Sequence, residues 1–161
     1  MRRRKGNLKP STARDVKADM TVAMRGASFH LYQLNHWFKR MTFDPLTGKL
    51  REKEVELFHW HLRAFFWELV AARDVLKRGS IIIQKSAKAL DDTRWFQEVN
   101  EYRNFTHESI HVIEVIIGED KPLAFQLQPA FRDQALQNDG AAQLAHYWEE
   151  MSTFLRNHFP I

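Results

Sequence analysis

Between Thr93 and His111 the sequence TRWFQEVNEYRNFTHESIH gathers an arginine, an asparagine, two histidines and a glutamate within nine positions. These are residue types that hold phosphate, move protons or bind metal. Asp92 or Thr93 can cap a helix start by accepting an orphan backbone N–H, and Trp95, Phe96, Val99 and Tyr102 then recur at helical spacing. On that helix Arg103 and His107, four residues apart, share a face, with His111 one turn further on.

Two chemistries fit this spacing. In the first, Arg103 and His107 act on a phosphodiester, with Asn104 beside them; a guanidinium offers planar, bidentate recognition of phosphate oxygens and a near-neutral imidazole can move a proton. No cofactor is expected for that site. In the second, HESIH satisfies the HExxH pattern, with His107 and His111 as zinc ligands and Glu108 as the base. A third zinc ligand has to come from Glu114, His146 or Glu149, none of which stands in a recognisable motif. The structural alternative to both is a buried polar cluster tying one helix to its neighbours.

Something must position these residues, and 161 residues with 44% hydrophobic content and five tryptophans can bury one proper core. The absence of cysteine removes disulfides, thiolate nucleophiles and cysteine zinc sites. No apolar run is long enough to cross a bilayer, and the basic opening MRRRKGNLKP lacks the apolar segment of a signal peptide, so a cytoplasmic protein is expected. Residues 1–17 carry seven Lys/Arg against Asp15 alone, which leaves the rest of the chain slightly acidic. The basic stretch reads as a flexible tail over 1–17, able to tether RNA electrostatically, ahead of one domain over 18–161.

The periodicity predicts helices over Met20–Met41 and Arg51–Arg78, the second carrying aromatic surface on more than one side and ending at Gly79. Such a helix lies centrally or faces a partner chain. The FDPLTGK segment between them is a turn. SIIIQKSAKAL, from Ser80 to Leu90, is ambiguous between helix and extended chain. After the motif helix, residues 111–128 read as a β-hairpin, and a last helix starts near Asn138, Asp139 and Gly140. His30 and His36 lie off the apolar stripe and are expected at the periphery. His59 and His61 fall at the core margin, on different sides of their helix. The expected fold is mostly α, an antiparallel four-helix bundle with a small β-hairpin inserted before the last helix.

The order of elements, the aromatic second helix and the string FQEVNEYRNFTHES, Phe96 to Ser109, resemble HEPN domains, the helical domains of many prokaryotic ribonuclease toxins and defence proteins. The resemblance covers roughly residues 51–117, and its specific part is the Arg-Asn…His string, with an Arg-x3-His spacing shorter than the family's usual one. It implies a metal-independent endoribonuclease in which RNA is attacked by its own 2′-hydroxyl, at a site assembled across a homodimer. By the same resemblance Arg103 stabilises the phosphate, Asn104 orients the helix end or the phosphate, and His107 transfers or positions a proton. A cognate antitoxin protein is the further partner it implies. Many domains of this kind serve instead as non-catalytic dimerisation or binding modules.

Overall fold

The computed structural model describes residues 12–108, 113–128 and 139–158. Helix α1 (Ala13–Lys39) starts where Thr12, in an extended conformation, accepts the Asp15 amide on its hydroxyl at 3.2 Å. It therefore reaches back into the stretch expected as tail through residue 17. The reason is Val16, fully buried, which opens the stripe that Met20, Ala23, Ala27 and Leu34 continue.

The turn after α1 closes through a bridge between Phe43 and Leu50, with Gly48 at φ 68°, a left-handed conformation that glycine adopts without strain. Helix α2 (Glu52–Leu76) ends two residues earlier than the periodicity predicts. Phe58, Leu62, Phe65, Phe66, Leu69, Ala72 and Leu76 are all fully buried along it, which makes α2 the central element. The ambiguous segment is a helix, α3 (Ile81–Asp91). Ile83, Ala87 and Leu90, at helical spacing, turn inward, while Ile81 and Ile82 stay exposed, so its isoleucines follow packing rather than strand propensity.

Helix α4 (Arg94–Glu108) carries the motif. The Thr93 hydroxyl donates to the Leu90 carbonyl at 2.7 Å, so it closes the end of α3 instead of capping α4. Strands β1 (Ile113–Ile117) and β2 (Pro122–Leu127) pair antiparallel, with Ile113 opposite Leu127 and Val115 opposite Phe125. They fall within the expected hairpin span of residues 111–128. Helix α5 (Gly140–His158) follows, its first turn capped by the Asp139 carboxylate, which accepts from the amides of Ala141 and Ala142. The described chain is thus mostly helical, with five helices and one hairpin before the last.

Contacts between helices fix their directions. Asp19 meets Arg78 while His30 meets His61, so α1 and α2 run antiparallel. Phe66 stacks on Tyr102 and Arg73 lies over Phe96, which sets α4 antiparallel to α2. Glu98 accepts from Tyr147 and Gln143 reaches Tyr102, giving α4 and α5 the same relation. The aromatic stack of Phe66 on Tyr102, with ring centroids 5.3 Å apart, adds about 1 kcal/mol beyond area burial. Among the described residues no helix is long and apolar enough to cross a membrane.

Candidate functional site

Phe96, Val99, Tyr102 and Thr106 turn into the core, and this rotation of α4 brings Arg103 and His107 to the flank that faces α2. On α2 the opposing ridge is Trp60, Arg63 and Trp67, spaced three and four residues apart and so on one face. Two polar side chains of α4 therefore meet a ridge of aromatic and cationic character.

The contacts are specific. An Nη of Arg63 lies 2.7 Å from Nδ1 of His107. A guanidinium can only donate, so Nδ1 accepts and the ring proton of His107 sits on Nε2, pointing away from Arg63. The Arg103 guanidinium lies over the Trp67 ring, 5.4 Å from its centroid, and the Trp67 and His107 rings meet edge to face at 6.4 Å. Arg103 Nε is buried and finds no hydrogen-bond partner. One turn of α2 and one turn of α4 thus hold two guanidinium groups, one imidazole and one indole together.

Beside them Trp60, Arg63, Ala64, Trp67 and Glu68 line a cleft of about 300 Å³. Burial pushes the Glu68 carboxyl above the usual carboxylate range, which makes it a stronger base. Gly26 of α1 admits this side chain: a Cβ there would stand 2.7 Å from Glu68 Cδ. Next to the cleft, His30 and His61 approach Nδ1 to Nδ1 at 2.9 Å. Burial lowers both their pKa values, and for His30 the charge on His61 lowers it further.

The sequence-predicted residues divide as follows. Arg103 and His107 are brought together on one face, as their spacing requires. Asn104 is exposed, about 100° round the helix from Arg103, and makes no hydrogen bond to the cluster. His111 and the Glu108 side chain lie outside the described residues. Of the other zinc candidates, Glu114 is exposed on β1 and His146 lies 3.9 Å from Glu150 on α5. Among the described residues no group of three metal-ligating side chains comes together. His30, expected at the periphery, is half-buried and bonded to His61, which is 6% exposed.

Arg63, Trp67 and Glu68 are the members of the site that the motif alone does not reveal. Their signal was present as surplus aromatic surface: Trp60 and Trp67 are 59% and 44% exposed, an unusual position for large rings, with Arg63 between them. In comparisons with known proteins, no family model, curated protein or solved structure matches the chain.

Proposed function

We propose that this chain is a HEPN-like, RNA-directed protein in which α1, α2, α4 and α5 form an antiparallel four-helix bundle, and that it cleaves RNA as a metal-independent endoribonuclease of a toxin–antitoxin or defence system. The observation that carries the reading is the row Arg63, His107 and Arg103 around Trp67. The Arg103 guanidinium and the Nε2–H of His107, which Arg63 orients, suit the equatorial oxygens of a phosphodiester whose charge grows in the transition state. An exposed indole offers a face on which a base of single-stranded RNA stacks.

In the proposed reaction the ribose 2′-oxygen attacks phosphorus and the bond to the 5′-oxygen breaks, leaving a 2′,3′-cyclic phosphate and a 5′-hydroxyl. Glu68, made more basic by burial, takes the 2′ proton. The 5′-oxygen takes a proton from water. His107 donates its Nε2–H to a phosphate oxygen, while Arg63 holds the imidazole in that tautomer. Arg103 neutralises the second oxygen.

A second reading is a non-catalytic homodimerisation module; its support is the exposure of Phe29, Tyr32, Trp60, Trp67 and Phe105. The two share the homodimer, which sets two clusters side by side in the catalytic case. The test is cleavage of a mixed cellular RNA pool by purified protein in excess EDTA, compared with folded Arg103→Ala and His107→Ala variants. Cleavage that resists EDTA and is lost in both variants supports the ribonuclease. Intact RNA with wild type leaves the dimerisation module, and cleavage abolished by EDTA favours the zinc hydrolase built on His107, Glu108 and His111.

A further inference from the structure

The flank of α1 turned away from α2 meets α5 along a groove of about 500 Å³. Its floor is Met20 and Met24 of α1 with Trp148 and Leu155 of α5. The Trp148 indole N–H donates to the Met24 carbonyl at 3.4 Å, which ties the ring to α1. Lys17 and Arg25 border the groove from α1, and Arg156 borders it from α5.

Charge along this groove has one sign. No carboxylate is among the residues that line it; Asp15 is engaged with Thr12 at the helix start, Asp19 pairs with Arg78, and Glu149, next to Trp148, is exposed outside the lining. None of the three cations forms an ion pair among the described residues. Lys17 and Arg25 stand eight residues apart, about 12 Å along the helix axis. The cations are therefore spread along the groove and across both its sides, which suits a row of carboxylates better than a single anionic headgroup.

We propose that the α1/α5 groove docks an acidic amphipathic helix of a partner protein, with its apolar stripe on Met20, Met24, Trp148 and Leu155 and its carboxylates on Lys17, Arg25 and Arg156. Methionines and one fixed tryptophan make an adaptable apolar floor for such a helix. The occupant needs a row of acids, and the two longer segments outside the described residues have none. Residues 1–11 carry Arg2, Arg3, Arg4, Lys5 and Lys9 with no acid, and residues 129–138 carry one Arg and one Asp. The proposal stands apart from the RNA reading, which uses the α2/α4 face.

The test uses the full-length protein and a labelled synthetic helical peptide of about 14 residues, with leucines at i, i+3, i+4 and i+7 flanked by glutamates. Fluorescence anisotropy at low salt is expected to show binding, and a peptide with lysines in place of the glutamates to bind at least about tenfold more weakly. The variant K17E/R25E/R156E, checked for folding by its thermal transition, is expected to reverse the preference. Met24→Glu is expected to weaken both. Equal binding of the two peptides, no binding of the glutamate peptide, or indifference to charge reversal overturns the proposal. So does saturable binding of dodecanoate with none of peptide, which assigns the groove to a lipid anion. Self-association of the protein that K17E/R25E/R156E abolishes assigns it to a second copy.

Discussion

Arg63 of α2 and His107 of α4, 44 residues apart in the chain, meet at 2.7 Å, and the direction of that hydrogen bond decides which nitrogen of the imidazole carries its proton. The expected tautomer is Nε2–H. Nitrogen-15 correlation spectra of the His107 ring should show Nδ1 as the unprotonated nitrogen in wild type and a mixture of tautomers in Arg63→Ala. If Nδ1 carries the proton in wild type, the arrangement proposed for catalysis falls. On the ribonuclease reading, Arg63→Ala should also slow cleavage by about 100-fold or more, the size of a lost preorganised donor.

Trp67 has two roles that substitution separates. It supports Arg103 from below and presents an exposed face. Trp67→Ala should weaken binding of single-stranded RNA by about 1–3 kcal/mol, the range for one base stack, and Trp67→Phe by less. Anisotropy with a labelled oligoribonucleotide in EDTA reads this directly. Equal affinities for all three proteins would remove the stacking role.

The paired histidines make stability depend on pH. Burial holds the pKa values of His30 and His61 below the ordinary histidine value in the folded state. The unfolded chain therefore binds protons first, so the contribution of the pair is complete above pH 6.5 and is lost as pH falls through the folded values. The thermal midpoint should drop between pH 7 and pH 5. In His61→Gln the drop should be shallower, because one proton acceptor is gone; an unchanged slope would show that other groups govern it.

At the opposite face of α4 the buried polar groups are matched. Gln143 Nε2 donates to the Tyr147 hydroxyl and that hydroxyl donates to Glu98, each at 2.7 Å. Burial is the largest cause pushing the Tyr147 phenol far above its ordinary range, so it stays a donor at any ordinary pH. Tyr147→Phe should cost about 1–3 kcal/mol in urea unfolding, because Glu98 loses its hydroxyl donor and Gln143 its shorter acceptor, keeping only Tyr102 at 3.5 Å. Phe66→Ala, which removes a fully buried ring stacked on Tyr102, should cost about 3–5 kcal/mol.

Helix positions were legible because apolar residues repeat at three and four. Met20, Leu34, Phe58, Leu62 and Leu69 all sit where that repeat puts them. The start of α1 was hidden by charge: Arg14 and Lys17 read as tail, although Val16 between them already belongs to the core. The isoleucines before Gln84 pull propensity toward strand, and burial of only Ile83 overrides it. Within the site, Arg103 and His107 were readable from spacing on a single helix. Their partners Arg63, Trp67 and Glu68 were not, since nothing in one helix's pattern states which face of another it will meet. The same limit concealed the contact of His30 with His61, each of which looked incidental on its own helix.

Phe125 lies in the middle of β2, with its ring 5.1 Å from Phe38 and 5.0 Å from Phe58, and its edge closes against Gly140. It thereby fastens the end of α1, the beginning of α2 and the beginning of α5 at one point. The α1–α2 pair can assemble from near neighbours in sequence, whereas this fastening needs a residue far along the chain and so carries the larger loop-closure cost. A small hairpin with little core of its own thus acts as the latch of the molecule, and loosening it should speed unfolding more than it slows folding.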